Sequence, residues 1–247
     1  MQSTDKSQSY NPESPLRVLN LHWYKDQMTG WNTPSYILLV VGVLFLLFTG
    51  LTNNINPLGI TSTIAGIIGF SCTISITNGK PINGILGFIS AIMLIYVASV
   101  TGNYSDIVMQ GAYIILLDIP VVLNKNWNSG KEIEPRLLKG KYIIQTVLVF
   151  LVFWALTYGL DTIILTSPRP IIDSLSATIG LTGAILTVRR FRASYYFWFA
   201  QGIMSIILWA VTAMAGHGVM VLFFTYCLYI MNDLVAFTTS RWFHNKK

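Results

Sequence analysis

The chain has 247 residues, of which 53% are hydrophobic and only 11% are charged, and its net charge is +6. Soluble domains carry roughly 25% charged residues, so this composition excludes an ordinary soluble protein. Between Ser35 and Leu123 the only charged residues are Lys80, Asp106 and Asp118, which leaves room for several membrane spans of about 20 apolar residues each. The chain is therefore predicted to be an integral membrane protein without a nucleic-acid partner.

Eight apolar segments follow a polar N-terminal segment, residues 1–34, which shows no cleavable signal peptide and is predicted to be cytoplasmic. The segments cover residues 35–53, 58–78, 82–101, 107–124, 142–160, 171–188, 195–215 and 218–237. Turn-forming residues separate them. The predicted organisation is an extra N-terminal helix at 35–53, one unit at 58–124, a linking helix at 142–160, a second unit at 171–237 and a cytoplasmic tail at 238–247.

Positive charges alternate along the chain in the way that membrane topology requires. Cytoplasmic connections are rich in Lys and Arg, and these residues cluster after the second, fourth, sixth and eighth segments. The clusters are Lys80; Lys125, Lys131, Arg136, Lys139 and Lys141; Arg189, Arg190 and Arg192; and Arg241, Lys246 and Lys247. Arg169 is the exception. The pattern predicts an all-α protein with eight spans, in the cell (inner) membrane, with both termini cytoplasmic.

An internal repeat relates the second to fourth segments to the sixth to eighth. Residues 64–77 resemble residues 175–188, residues 82–92 resemble 200–210, and residues 110–118 resemble 225–233. The repeat pairs Gly69 with Gly180, Asn83 with Gln201, and Asp118 with Asp233. Because one segment links the two triplets, they have the same orientation in the membrane. The predicted architecture is a 3+1+3 parallel repeat plus one extra N-terminal helix.

Four stretches of the chain resemble the PnuC family of bacterial vitamin transporters, over roughly residues 58 to 242. They are Thr63-Ile64-Ala65-Gly66; Tyr104 to Gln110; Asp173-Ser174 with Arg189-Arg190 and Trp198 at the family's spacing; and Asn232 in the last segment. The resemblance implies a SWEET-like fold and facilitated diffusion of a vitamin, foremost nicotinamide riboside, between two three-helix bundles. It implies no cofactor, no ATP and no coupling ion, and a cytoplasmic kinase that traps the imported vitamin.

The resemblance also implies the binding residues. The family stacks its substrate on an aromatic residue, which Trp198 matches, and binds it with an Asn one turn later, where this chain has Gly202. Gln201 is therefore expected to supply the amide. Asn83, Gln110, Tyr229 and Asn232 complete the predicted binding set. The alternatives are hydrogen bonding between helices for the amides and an interfacial position for Trp198.

Three carboxyl groups are predicted to act at the gates or the entrance. Asp118 and Asp233 lie in apolar segments, where ionisable groups are costly and often functional, and plain interface positions are the alternative. Asp173 begins the sixth segment, where a helix cap competes with an entrance contact. Pro120 predicts a kink.

Other functions and cargoes follow less well from the sequence. HExxH, GxSxG and paired carboxylates on one helix do not occur, so neither an enzyme nor a metal site is expected. A light receptor or a channel is a further alternative. Within the same class, thiamine, riboflavin or a deoxynucleoside competes as the cargo because of Gly202. The predicted partners are a small-molecule vitamin and the lipid bilayer. The sequence leaves open whether the protein forms a homo-oligomer.

Overall fold

The computed structural model describes residues 14–53, 55–128, 134–167, 170–217 and 219–244, and eight helices in these ranges are long and apolar enough to cross a membrane. The predicted all-helical membrane protein with eight spans is confirmed. The predictions that involve residues 1–13, Lys131, Arg169, Lys246 and Lys247 fall outside the described residues. We number the spans one to eight in chain order.

Span one is Thr33–Asn53, span two Pro57–Thr77, span three Asn83–Thr101, and span four runs from Tyr104 to Leu123. Span five is Lys141–Gly159 with a further turn Leu160–Ile164, and span six is Pro170–Val188. Span seven is Ser194–Thr212 with a further turn Ala213–His217, and span eight is Met220–Thr239. These bounds differ from the predicted segments by a few residues.

Capping residues mark the start of span two and the end of span three. The Asn56 side chain accepts a hydrogen bond from the Gly59 N–H at 2.7 Å, and Pro57 occupies the first turn of span two, as is common at helix N-termini. Gly102 follows span three with φ of 75°, a left-handed conformation that glycine adopts without strain. The short turn that follows lets span four return antiparallel to span three.

Span four is not a continuous α-helix. It consists of an α-helix Tyr104–Tyr113, a π-helical turn Ile114–Asp118 and a final α-helical turn Ile119–Leu123. Pro120 has no N–H to donate to the carbonyl four residues earlier, so the regular hydrogen-bond pattern cannot pass through it. The wider turn lies directly before this proline, at the place where the sequence predicted a kink, and it changes which residues share a face of the helix.

The two predicted triplets contact each other reciprocally. Span two packs against span eight, and span four packs against span six. A Cβ added at Gly69 would overlap the Tyr229 hydroxyl, and one added at Gly180 would overlap the Tyr113 hydroxyl. Thus a glycine in the first span of each triplet receives a tyrosine from the third span of the other. The 3+1+3 repeat itself stays a prediction.

Span one packs on the outside of the two triplets, against spans two and eight. Its backbone approaches span two closely at Gly42, beside Phe70, and at Gly50, beside Thr63. Phe45 contacts Phe224 of span eight edge to face, with ring centroids 5.2 Å apart. Most of its other apolar side chains are exposed in the chain alone, as expected for a helix that faces lipid.

The N-terminal segment has more structure than its polar composition predicted. It contains a 3-10 helix Pro15–Leu19 and an α-helix Leu21–Gln27, and Trp23 and Trp31 are both buried. Lys80 Nζ donates to the Asp26 carbonyl at 3.1 Å. Burial and the nearby Arg241 lower the pKa of Lys80, and Asp26 opposes this shift. The segment therefore covers the side of the molecule that carries Lys80, Arg136, Arg189 and Arg241, here called the basic face.

Arg17 attaches this segment to the end of span four. Its side chain is buried and donates to the carbonyl of Ser14 at 2.8 Å and to the carbonyl of Val122. We expect Arg17→Ala to lower the Tm in detergent by about 3–6 °C, because a buried carbonyl loses a charged donor. Lys139→Ala, at an exposed position on the same face, is the control. An unchanged Tm for Arg17→Ala would show that the segment is attached by other contacts.

Candidate substrate site

A cavity of about 110 Å³ lies between the two predicted triplets. Spans two, three and four line one side of it, and spans seven and eight line the other. Its polar and aromatic lining residues are Thr73, Ser90, Gln110, Tyr113, Asp118, Tyr195, Trp198, Gln201, Tyr226, Tyr229, Asn232 and Asp233. This cavity is the candidate substrate site, because it is concave, largely apolar and contains a few converging polar groups.

Trp198 is held in the cavity wall by two contacts. Its Nε1 donates to the Thr187 hydroxyl of span six at 2.8 Å. Its ring meets that of Tyr113 edge to face, with centroids 5.7 Å apart. The indole is half-buried and lies little more than one turn from the start of span seven. A tryptophan fixed in this way offers a ring face for stacking, so the structure brings it to the cavity as predicted.

Three of the predicted amides reach the same cavity. Gln201 Nε2 donates to the Ser205 hydroxyl at 2.9 Å and contacts Met109 Sδ at 3.7 Å. Among the described residues, its carbonyl oxygen makes no hydrogen bond, so it can accept one from a ligand. Gln110 Nε2 donates to Asp106 Oδ1 at 3.3 Å. Asn232 Oδ1 accepts from Thr77 Oγ1 at 3.0 Å, which leaves its NH2 group as a donor.

Several tyrosines complete the wall, and of these only Tyr229 was predicted. Tyr226 lies against Tyr229, with ring centroids 4.9 Å apart, and interacts with Gln110 and Ser205. Tyr195 donates to the Thr77 hydroxyl at 3.2 Å. Helical spacing links Tyr195 to Trp198 and Tyr226 to Tyr229, and this three-residue spacing is the signal that could have found them.

Asp118 and Asp233, predicted as gate residues, both line the cavity and are almost fully buried. Asp118 Oδ1 points at Gly87 of span three, where an added Cβ would overlap it. Asp118 Oδ2 has no hydrogen-bond partner among the described residues. No Lys, Arg or His is found among the described lining residues. The site therefore carries carboxyl groups without a compensating positive charge.

Asn83 and Asp173 lie elsewhere. Asn83 is fully buried at the start of span three. Its side-chain Nδ2 donates to the Lys80 carbonyl at 2.6 Å, and its backbone carbonyl accepts a hydrogen bond from the Cys72 thiol. It closes the turn between spans two and three and does not line the cavity. Asp173 lines a second cavity of about 380 Å³ at the opposite end from the basic face, together with Asp106 and Met109. Its position there agrees with an entrance, and Ser167 donates to its carboxyl.

The hydrogen bond between Trp198 and Thr187 can be tested separately from the ring itself. We expect Thr187→Val to raise the KM for the transported cargo about fivefold, because the loss of a hydrogen bond of about 1 kcal/mol lets the indole reorient. Thr182→Val in the same span is a matched control, because the Thr182 hydroxyl donates to a carbonyl of its own helix. Equal effects of the two variants would indicate a general loss of packing in span six.

Comparison with known proteins identifies the family. The model of the nicotinamide mononucleotide transporter family matches residues 59–244. This chain belongs to that family. The nicotinamide riboside transporter PnuC of Neisseria mucosa is 24% identical over 237 residues, which cover 90% of this chain and 86% of that protein. The resemblance to PnuC noted in the sequence is thus confirmed, and the family consists of transporters.

A solved structure agrees with the family assignment. The crystal structure of the vitamin B3 transporter PnuC matches this chain with a TM-score of 0.76 and 20% identity, over 88% of this chain and 94% of that one. The two chains therefore share a fold. The range matched by the family model begins at residue 59, after span one.

Gly202 is the position at which the chain departs from the pattern expected of the family. Gly202 lines the cavity, and an added Cβ would lie 2.7 Å from Ile230 Cδ1 of span eight. An asparagine would therefore need Ile230 to move. Gln201, which also lines the cavity, carries an amide one residue earlier and avoids this conflict. The cavity therefore has an amide on this helix, at position 201 and not at position 202.

Proposed function

We propose that this protein is a uniporter for a nicotinamide nucleoside, foremost nicotinamide riboside, which it moves across the membrane by facilitated diffusion. The observation that carries the proposal is the composition of the cavity wall: Trp198, three amides and two carboxyl groups. A tryptophan face attracts a flat cationic ring. Amides can both donate and accept hydrogen bonds, so they suit a carboxamide and ribose hydroxyls.

The charges in the wall favour the riboside over the mononucleotide. A phosphate group adds a charge of about −1.5 to −2 at neutral pH, and buried phosphates need positive partners such as Arg or Lys. The described lining residues include Asp118 and Asp233 and no basic residue. A cargo with a positively charged ring and no phosphate matches this wall, whereas a phosphorylated cargo would meet like charges.

Transport by purified protein in liposomes tests the proposal. We expect labelled nicotinamide riboside to equilibrate across the bilayer without any ion gradient, and nicotinamide mononucleotide to be carried far less well. Loss of uptake when the proton or sodium gradient is collapsed would contradict uniport. A thermal-shift series with thiamine, riboflavin and a deoxynucleoside tests the other cargoes, and a clear shift with one of these but none with nicotinamide riboside would replace the proposed cargo.

The basic face is proposed to be cytoplasmic, so that both termini lie inside the cell and the protein resides in the inner membrane. The support is the placement of Lys80, Arg136, Arg189 and Arg241 on one side, as cytoplasmic connections require. Reaction of single introduced cysteines with an impermeant reagent in intact cells tests this orientation. A cysteine at the exposed position 139 should be protected, and one at the exposed position 104 should react.

A cytoplasmic kinase that phosphorylates the vitamin is proposed to trap it after entry. The support is the cavity itself: its described lining residues include no basic residue, so it would not carry the phosphorylated product outward. Cells that lack the kinase should bring nicotinamide riboside only to its external concentration, and cells that contain it should accumulate the label. Accumulation without the kinase would indicate active transport instead.

A further inference from the structure

We propose that Asp118 is the specificity-determining residue that selects a positively charged ring over a neutral one in the central cavity. The inference rests on the proposed function and extends it from a class of cargo to the charge of that cargo. It assigns to Asp118 a direct contact with the cargo, whereas the sequence had suggested a gate residue. Three structural observations support it: the helical geometry of span four, the space opposite the carboxyl group, and the composition of the wall.

The π-helical turn places Asp118 on the cavity side of span four. In a regular α-helix, the eight residues from Gln110 to Asp118 would put the two about 80° apart around the axis. The π turn Ile114–Asp118 inserts one extra residue, which corresponds to about 100° of rotation and returns Asp118 to the Gln110 side. Gln110 and Asp118 do line the same cavity. Such turns are frequent at functional sites.

The space opposite Asp118 is kept open by glycines of span three. A Cβ at Gly87 would overlap Asp118 Oδ1, and one at Gly84 would lie 2.5 Å from the Asp118 backbone carbonyl oxygen. Span four can thus approach span three closely enough to hold the carboxyl group in the cavity wall. The side chain is 2% exposed, and its Oδ2 lacks a hydrogen-bond partner among the described residues. A buried carboxyl group without a partner is costly, and the positive charge of a cationic ligand in the cavity would offset part of this cost.

The carboxyl group lies on the same span as one member of an aromatic pair in the cavity wall. Tyr113, one helical turn before Asp118 on span four, meets Trp198 edge to face. Asp233, the repeat-related carboxyl of span eight, lines the cavity from the other triplet. No basic group is found among the described lining residues, so a positive ring stacked on Trp198 would share the cavity with Asp118 of span four and Asp233 of span eight. The cargo class is therefore a nucleoside with a positively charged aromatic base.

Uptake of two forms of one cargo tests this inference. Oxidised nicotinamide riboside carries a positive ring, and its dihydro form has nearly the same shape without the charge. We expect Asp118→Asn to raise the KM for the oxidised form about tenfold, as for a lost contact to a charged group, and to change the KM of the dihydro form less than about twofold. Asp118→Glu keeps the charge and should keep the preference for the oxidised form.

A second variant displaces the carboxyl group without removing it. Gly87→Ala introduces a methyl group where Asp118 Oδ1 now lies, and we expect it to weaken uptake of the oxidised form selectively as well. Glu134→Gln, which removes an exposed carboxyl group on the basic face, is the control and should leave both KM values unchanged. An equal loss for both forms in Asp118→Asn, or no change for the oxidised form, would overturn the inference.

Binding of smaller probes separates failure of the inference from failure of the proposed function. 1-Methylnicotinamide, which is methylated on the ring nitrogen, is a cation and nicotinamide is neutral, and both can be compared by thermal shift on the full chain in detergent. If the wild type does not transport nicotinamide riboside but prefers the methylated cation in a manner that Asp118→Asn abolishes, the proposed function fails and the inference stands. If nicotinamide riboside is transported and Asp118→Asn retains the preference for charge, the inference fails alone.

Discussion

Replacing Trp198 with alanine is expected to raise the KM for nicotinamide riboside about 100-fold. The stacking of a base on an aromatic ring contributes about 1–3 kcal/mol, and a desolvated cation adds about 2 kcal/mol when it lies on a tryptophan face. The substitution also removes the edge-to-face contact with Tyr113. The measurement is the initial rate of uptake into liposomes over a range of cargo concentrations.

Two further variants separate the ring from the bulk of Trp198. Trp198→Phe keeps an aromatic face but loses the hydrogen bond to Thr187, so we expect an intermediate rise in KM of about tenfold. Trp154→Ala removes a tryptophan that is 38% exposed on span five, away from the cavity, and should leave the KM unchanged. If Trp198→Ala transported normally, the stacking role would be excluded and Trp198 would be a packing residue.

The second large effect is expected at Gly180, where spans four and six meet. A leucine there would overlap the Tyr113 hydroxyl, and its Cβ would lie 3.1 Å from Gln201 Cγ. Displacing both side chains should reduce uptake at low cargo concentration about 30-fold, as for two lost contacts of about 1 kcal/mol each. The overpacked interface should also lower the Tm in detergent by about 3–8 °C.

Gly159→Leu is the matched control for this substitution. Gly159 lies in span five with no atom near the position of an added Cβ, so a leucine there should face open space and leave both uptake and Tm unchanged. Gly180→Ala tests the same contact with a smaller side chain. Its effect should be smaller, since only the end of the Tyr113 side chain has to move. Wild-type uptake and Tm in Gly180→Leu would mean that spans four and six do not pack as closely as the structure shows.

The membrane fold could be read from the sequence because each span is encoded locally. A run of about 20 apolar residues cannot leave its backbone polar groups unpaired in lipid, so it must form a helix. Polar and glycine-rich turns such as residues 78–81 and 101–106 separate the runs. The eight spans and the family resemblance therefore followed from composition and short motifs. The structure of the N-terminal segment was harder to predict, because the segment buries two tryptophans and is held by a hydrogen bond from Lys80 of a distant connection to the Asp26 carbonyl.

Part of the candidate site could also be predicted from the sequence, because short motifs mark some of its residues. Trp198, Gln110 and Asn232 occupy positions that match the family, and all three line the cavity. Asn83 was paired with Gln201 by the repeat, yet it lies at the start of span three, where its side chain bonds to the turn. Weak similarity can align two helices without making every paired side chain equivalent, because Asn83 begins its helix beside a turn whereas Gln201 lies in the middle of its helix.

By itself, the sequence determined that the protein is an eight-span transporter of a known family, because apolar length and motif spacing are local properties of the chain. Only the tertiary structure decided which polar groups share one cavity. Asp118 shows the reason most clearly. Regular α-helical spacing places it away from Gln110, and the π turn before Pro120 together with the glycines of span three turns its carboxyl group into the cavity wall. Pro120 marks in the sequence where the regular helix is interrupted, but the direction in which Asp118 then points depends on the packing of span four against span three.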